Sequence, residues 1–184
     1  MKRQATVVLG LVSVVATPVV SAENFSRIGT RLTGLQEVPV VSTAGTGRFD
    51  AVIDDARREI RYVFSYENIQ GTVTQAHIHV GRVATNGGIS VWLCGNATAP
   101  GVTPAITPPA GTPGCDSPSD SFEGTIEPSN VVGPTAQAIS PGEFEELVRM
   151  IRAGAAYVNV HSSVVPGGEI RGQIRAGRGH RRND

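Results

Sequence analysis

The side chains best equipped for chemistry lie on three short stretches rich in β-branched residues. In QAHIHV, the two-residue period of an extended chain puts His77 and His79 on one face and Ala76, Ile78 and Val80 on the other. Two imidazoles side by side on a strand can grip one metal ion. In AAYVNVHS, Val158 and Val160 are expected in the core, which turns Tyr157, Asn159 and His161 to the opposite face. In GGEIRGQI, burial of Ile170 and Ile174 turns Glu169, Arg171 and Gln173 outward. Ser162 to Gly168 reads as the hairpin loop between the last two stretches, so His161 is expected opposite Glu169 and Asn159 opposite Arg171. With the QAHIHV strand alongside, His77, His79, His161 and Glu169 converge on one polar patch, supported by Asn159 and Arg171. That ligand set suits copper or zinc. The competing reading makes the same histidines structural, bonded to loop backbone and to Glu169.

Other chemistry has little to stand on. No Gly-x-Ser-x-Gly elbow or phosphate loop occurs, and the glycines from Gly29 to Gly34 precede no helix, so no dinucleotide motif forms. No catalytic residue is assigned. Cys94 and Cys115 lack the close C-x-x-C partner of a thiolate metal site and are expected to form a disulfide. It would close a Pro- and Gly-rich loop, 95–114, and loop closure of that length is worth about 3 kcal/mol.

These residues need a β framework, and the sequence supplies one. Phe49, Ala51 and Ile53 alternate with polar neighbours, as do Ile60, Tyr62, Phe64 and Tyr66 after the turn 54–59, which predicts an antiparallel hairpin. Further strands are expected at 74–80, 89–94, 121–127, 156–161 and 169–175. Their short lengths and frequent turns predict an all-β fold, an antiparallel β-sandwich or a barrel-like sheet of immunoglobulin or superoxide-dismutase type. One short helix is expected over 141–153, capped by Ser140 and Glu143, with Phe144, Leu147, Val148 and Ile151 laid on the sheet as a lid.

The ends bear on location. Lys2 and Arg3 precede an apolar stretch that closes in Val20-Ser21-Ala22, the order of a signal peptide over residues 1–22. That run is shorter than the roughly 20 apolar residues of a membrane span, so no span is expected in the mature chain. A domain over 23–176 and a basic flexible tail over 177–184 follow. The whole chain carries 16 basic and 16 acidic residues, a balance with no electrostatic footprint for nucleic acid. The expected location is secreted or periplasmic.

The order LTGLQEVPVVSTAGTGRF, AHIHVG, GISVWLC, YVNVHSSVVPGGEIRGQI, from about Ile28 to Ile174, resembles the chordin-type (CHRD) domain. The resemblance implies an extracytoplasmic β-sandwich or barrel-like domain, repeated in chordin, which binds bone morphogenetic proteins, and found alone in microbial secreted proteins. The cysteine-rich modules that flank the repeats in chordin are absent here, so growth-factor binding is not carried over. The expected function is a secreted recognition or structural module for an extracellular protein or surface ligand, with a His-rich metal-binding patch. The alternative is a mononuclear copper or zinc enzyme, or a superoxide-dismutase-like metalloprotein. Against the latter, only His77, His79, His161 and His180 are available as imidazoles.

Overall fold

The computed structural model describes residues 25–96 and 107–177. The expected signal segment 1–22, His180 and most of the tail, and the middle of the Pro-rich loop lie outside the described residues. The strands are β1 (Phe25–Thr33), β2 (Thr46–Asp54), β3 (Glu59–Glu67), β4 (Val73–Val80), β5 (Gly88–Gly95), β6 (Asp120–Ile126), β7 (Ala156–Ser162), β8 (Ile170–Gln173) and β9 (Arg175–Ala176). One α-helix, α1 (Phe144–Arg152), precedes β7.

The predicted hairpin is the pair β2–β3, in register from Thr46 opposite Glu67 to Asp54 opposite Glu59. Its turn is held locally: Asp54 accepts the Arg57 backbone N–H at 3.0 Å, and Arg58 takes the left-handed conformation at φ 56°. Phe49 and Phe64 face each other across the ladder as an edge-to-face pair 6.3 Å apart. Such pairs add about 0.5–1.5 kcal/mol to the burial of the rings.

All the strands join one antiparallel sheet in the order β5-β4-β7-β8-β1-β2-β3-β6, with β9 beside β1. The fold is therefore the barrel-like alternative, a single sheet that nearly closes on itself. The end strands β5 and β6 are bridged by loop backbone. Gly95 donates to the Pro113 carbonyl and Val132 to the Ser90 carbonyl, both at 2.9 Å. Between the two edges lies a cavity of about 390 Å³, walled by Val91, Leu93 and Ile126 and roofed by residues 109–113. The Cys94–Cys115 disulfide ties β5 to the segment leading into β6. Asn96 reinforces it by accepting the Cys115 N–H and donating to the Cys115 carbonyl.

Two local readings change. The helix begins at Phe144 rather than at Pro141, because Gly142 at φ 86° sits in a left-handed turn that cannot be helical. Glu143 still accepts the Ser140 N–H at 2.6 Å, the backward half of the expected capping box. The end behaves as read: Gly154 at φ 66° lets Ala155 donate to the Met150 carbonyl and Gly154 to that of Ile151. Strand β1 was not among the strands given bounds above; its buried Ile28 and Leu32 stand four apart, on one face. It nonetheless pairs with β2, β8 and β9.

Phe144, Leu147, Val148 and Ile151 of α1 are all buried with the core cluster of the sheet. Leu147 is fully buried. Leu147→Ala is expected to destabilise the protein by about 2–5 kcal/mol, read from urea denaturation midpoints. A loss under about 0.5 kcal/mol, the size of an ordinary surface change, would show that α1 does not cover the core.

Candidate metal centre

Strand β4 runs between β5 and β7, and β7 between β4 and β8, so the predicted site stretches are neighbours in the middle of one half of the sheet. Across the β4–β7 ladder, Gln75 faces His161, His77 faces Asn159 and His79 faces Tyr157. These partners project on the same side. The core side carries Ala76, Ile78, Val158 and Val160, all buried. The polar side is buried too: His77, His79, Asn159, His161, Arg171 and Gln173 are each at most 8% exposed. The outward direction expected for Glu169, Arg171 and Gln173 is thus corrected, since all three are buried. Alternation fixes the side on which a residue stands, and here loops cover that side.

His77, His79 and His161 converge. One ring nitrogen from each lies within 4.8 Å of the others. The His77 ring centroid is 5.3 Å from that of His79 and 5.2 Å from that of His161. Each imidazole is held by its surroundings. His79 Nδ1 is 2.9 Å from the Gly87 carbonyl and His161 Nδ1 is 2.9 Å from the Pro166 carbonyl. A nitrogen facing a carbonyl must carry the proton, which leaves the Nε2 lone pair of each neutral ring pointing into the cluster. No hydrogen-bond partner among the described residues reaches His79 Nε2 or either nitrogen of His77. His77 is pinned by packing instead, with Trp92 edge-on at 4.2 Å.

Around the triad lies a charged shell. Tyr157 stacks on His79 at 4.9 Å and an interplanar angle of 4°, and its hydroxyl accepts the Gly87 N–H. The Arg171 guanidinium lies 4.4 Å from the centroid of the same Tyr157 ring. Arg171 Nε donates to Glu37 at 2.7 Å, and its terminal nitrogens donate to the Thr85 carbonyl and to Asn86 Oδ1. Both members of the Arg171–Glu37 pair are buried. Asn159 stands opposite Arg171 across β7–β8, in the expected register.

Glu169 is not brought to the histidines. Its carboxylate accepts from Ser162 Oγ at 2.6 Å, Thr43 Oγ1 at 2.7 Å and the Gln70 N–H at 3.0 Å. Glu169 precedes β8 and follows Gly168 at φ 122°, so strand alternation begins only at Ile170. Glu169 and Ile170 consequently both approach Gly45. The residues that sequence reasoning missed are Glu37, Trp92 and the stacked ring of Tyr157. Tyr157 was on the right face of its strand, and Glu37 lay in the quoted GLQEVP motif, but neither had a reason to be chosen.

Burial disfavours the charged form of all three imidazoles. It pushes His77 far below the ordinary histidine range, His79 down to about 4, and His161 in the same direction against the opposing Pro166 carbonyl. The unfolded chain titrates its histidines near 6.5. Between about 6.5 and about 4 the unfolded state binds more protons, so folding stability rises with pH across that window. Burial raises Glu37, partly offset by Arg171, and this acts in the opposite sense. With three imidazoles against one carboxylate, the histidines dominate. The metal-free protein is expected to keep its full stability above pH 6.5 and to lose it progressively toward pH 4, measured by urea midpoints across pH. A midpoint constant over that range would contradict neutral burial of the triad.

The sequence model of the CHRD domain family matches residues 28–174. No curated protein and no solved structure matched the chain. The matched span runs from the middle of β1 to the residue after β8 and includes the histidines, Glu37 and Arg171. The chain belongs to the CHRD domain family.

Proposed function

We propose that this CHRD domain is a secreted recognition module whose binding loops are fixed by a zinc or copper ion held by His77, His79 and His161. The observation that carries the reading is the convergence of three buried imidazoles, two of which spend their second nitrogen on a loop carbonyl. Metal-ligating histidines are held in this way, the outer hydrogen bond fixing the tautomer that offers a lone pair to the ion. A set of imidazoles with no thiolate and no carboxylate among them suits zinc or copper.

The loops so fixed carry apolar side chains into solvent. Leu35 and Val40 follow β1, Val83 follows β4 and Val164 follows β7, and all four are exposed. Their loops meet one another: Glu37 and Asn86 share Arg171, Asn86 donates to the Val38 carbonyl, and Gly168 lies against Glu37. The loops that carry these apolar side chains lie over one face of β4, β7 and β8, and that is the surface this reading offers to a partner protein. The disulfide fits an oxidising, extracytoplasmic compartment, in keeping with the export signal expected at residues 1–22.

Calorimetric titration of tag-free protein with Zn²⁺ and with Cu²⁺ near neutral pH tests the metal. Saturable one-to-one binding of at least one ion is expected. His79→Ala and His161→Ala are expected to weaken it by more than about 100-fold, beyond the 10–100-fold usual for outer-shell changes, while His180→Ala leaves it unchanged. No saturable binding by the folded wild-type protein, or an equal loss from the His180 change, would sink the reading.

A further inference from the structure

Asn159 stands among the three histidines. It faces His77 across the β4–β7 ladder, stands two residues before His161 on the same side of β7, and lies diagonal to His79. Its carboxamide nitrogen and Glu37 Oε1 both lie beside Gly168, and Glu37 is anchored by Arg171 through its other oxygen. Glu37 can only accept hydrogen bonds when ionised, so it selects the amide orientation with nitrogen outward and oxygen toward the imidazoles.

That orientation creates an electronic mismatch. Asn159 Oδ1 lies 3.1 Å from His161 Nε2, while His161 Nδ1 lies 2.9 Å from the Pro166 carbonyl. A neutral imidazole has one N–H and cannot donate to both oxygens. With the proton on Nδ1, a nitrogen lone pair and an amide oxygen lone pair face each other at hydrogen-bond distance, inside the protein. Two acceptors so placed repel each other, and an electropositive partner shared between them relieves the repulsion. A metal ion at about 2.0–2.2 Å from both spaces a tetrahedral pair of ligands about 3.3 Å apart. The observed separation is close to that value.

We infer that the Asn159 amide oxygen is the fourth ligand of the ion, completing a closed three-histidine, one-amide site. This rests on the metal reading above and extends it: a site with all four positions filled by the protein is structural in kind and offers no open position to a substrate. Glu37 is then a positioning residue, which acts through the orientation of Asn159.

Cobalt(II) in place of the native ion, with azide as a small competing ligand, tests the fourth position. The Co²⁺-loaded wild-type protein is expected to keep its visible spectrum when azide is added, and Co²⁺-loaded Asn159→Ala to show a saturable azide-dependent shift. Asn159→Ser, which retains a hydrogen-bond donor on a short side chain, replaces the alanine variant should that fail to fold. An azide response in the wild-type protein would overturn the fourth-ligand assignment and favour an open, enzyme-like site. So would a variant that binds Co²⁺ and remains silent to azide. If the folded wild-type protein takes up no Co²⁺, Zn²⁺ or Cu²⁺, the metal reading itself fails and this inference with it.

Discussion

Arg171 reaches from the four-residue strand β8 into a place where its guanidinium meets Glu37, the Thr85 carbonyl, Asn86 and the face of Tyr157. Those partners come from the loop after β1, the loop after β4, and β7. One buried cation therefore gathers the segments that cover the polar side of the sheet. Burying such a charge is costly in itself, and it is tolerated where hydrogen bonds and an opposite charge compensate it. Removing Glu37 or Arg171 alone would leave its partner uncompensated. The cover over the histidines depends on the pair remaining complete.

The orientation of the imidazoles follows from that cover. Gly87 lies next to Asn86, and its carbonyl meets His79 while its N–H reaches the Tyr157 hydroxyl. The Pro166 carbonyl does the corresponding work for His161 from the β7–β8 loop. Gly87 itself could carry no side chain, since a Cβ would stand 1.7 Å from the Val80 carbonyl oxygen. The loop thus lies close on the end of β4, near enough to present its carbonyl to His79, the penultimate residue of β4.

What the sequence made legible was set by regular strands, and what it hid was set by loops. HIH and VNVH lie inside uninterrupted strands, so a period of two placed all three imidazoles on one face, and the pairing of β4 with β7 brought them together. The Asn159–Arg171 register followed from the same rule. Glu169 departed because it stands outside β8, where Gly168 breaks the alternation. Glu37 was hidden for a different reason: its bond to Arg171 spans 134 residues, and no local pattern encodes such a contact. Burial of the polar face was unreadable as well, since alternation distinguishes the two sides of a strand without saying what covers either.

Both faces of β4, β7 and β8 being buried has a consequence for the kind of chemistry this half of the barrel supports. Side chains on central strands are held by neighbours on two sides, so an imidazole cluster built there has little freedom to rearrange. The same enclosure leaves the three imidazoles at most 8% exposed. Exchange with the outside must pass through the loops that hold the ring nitrogens, and their carbonyls are bonded to the very histidines they cover. The apolar residues exposed on those loops, Leu35, Val40, Val83 and Val164, are therefore joined by hydrogen bonds and backbone to the buried centre. In this architecture the histidine cluster and the exposed loops are two ends of one set of connections, with the Arg171–Glu37 pair between them.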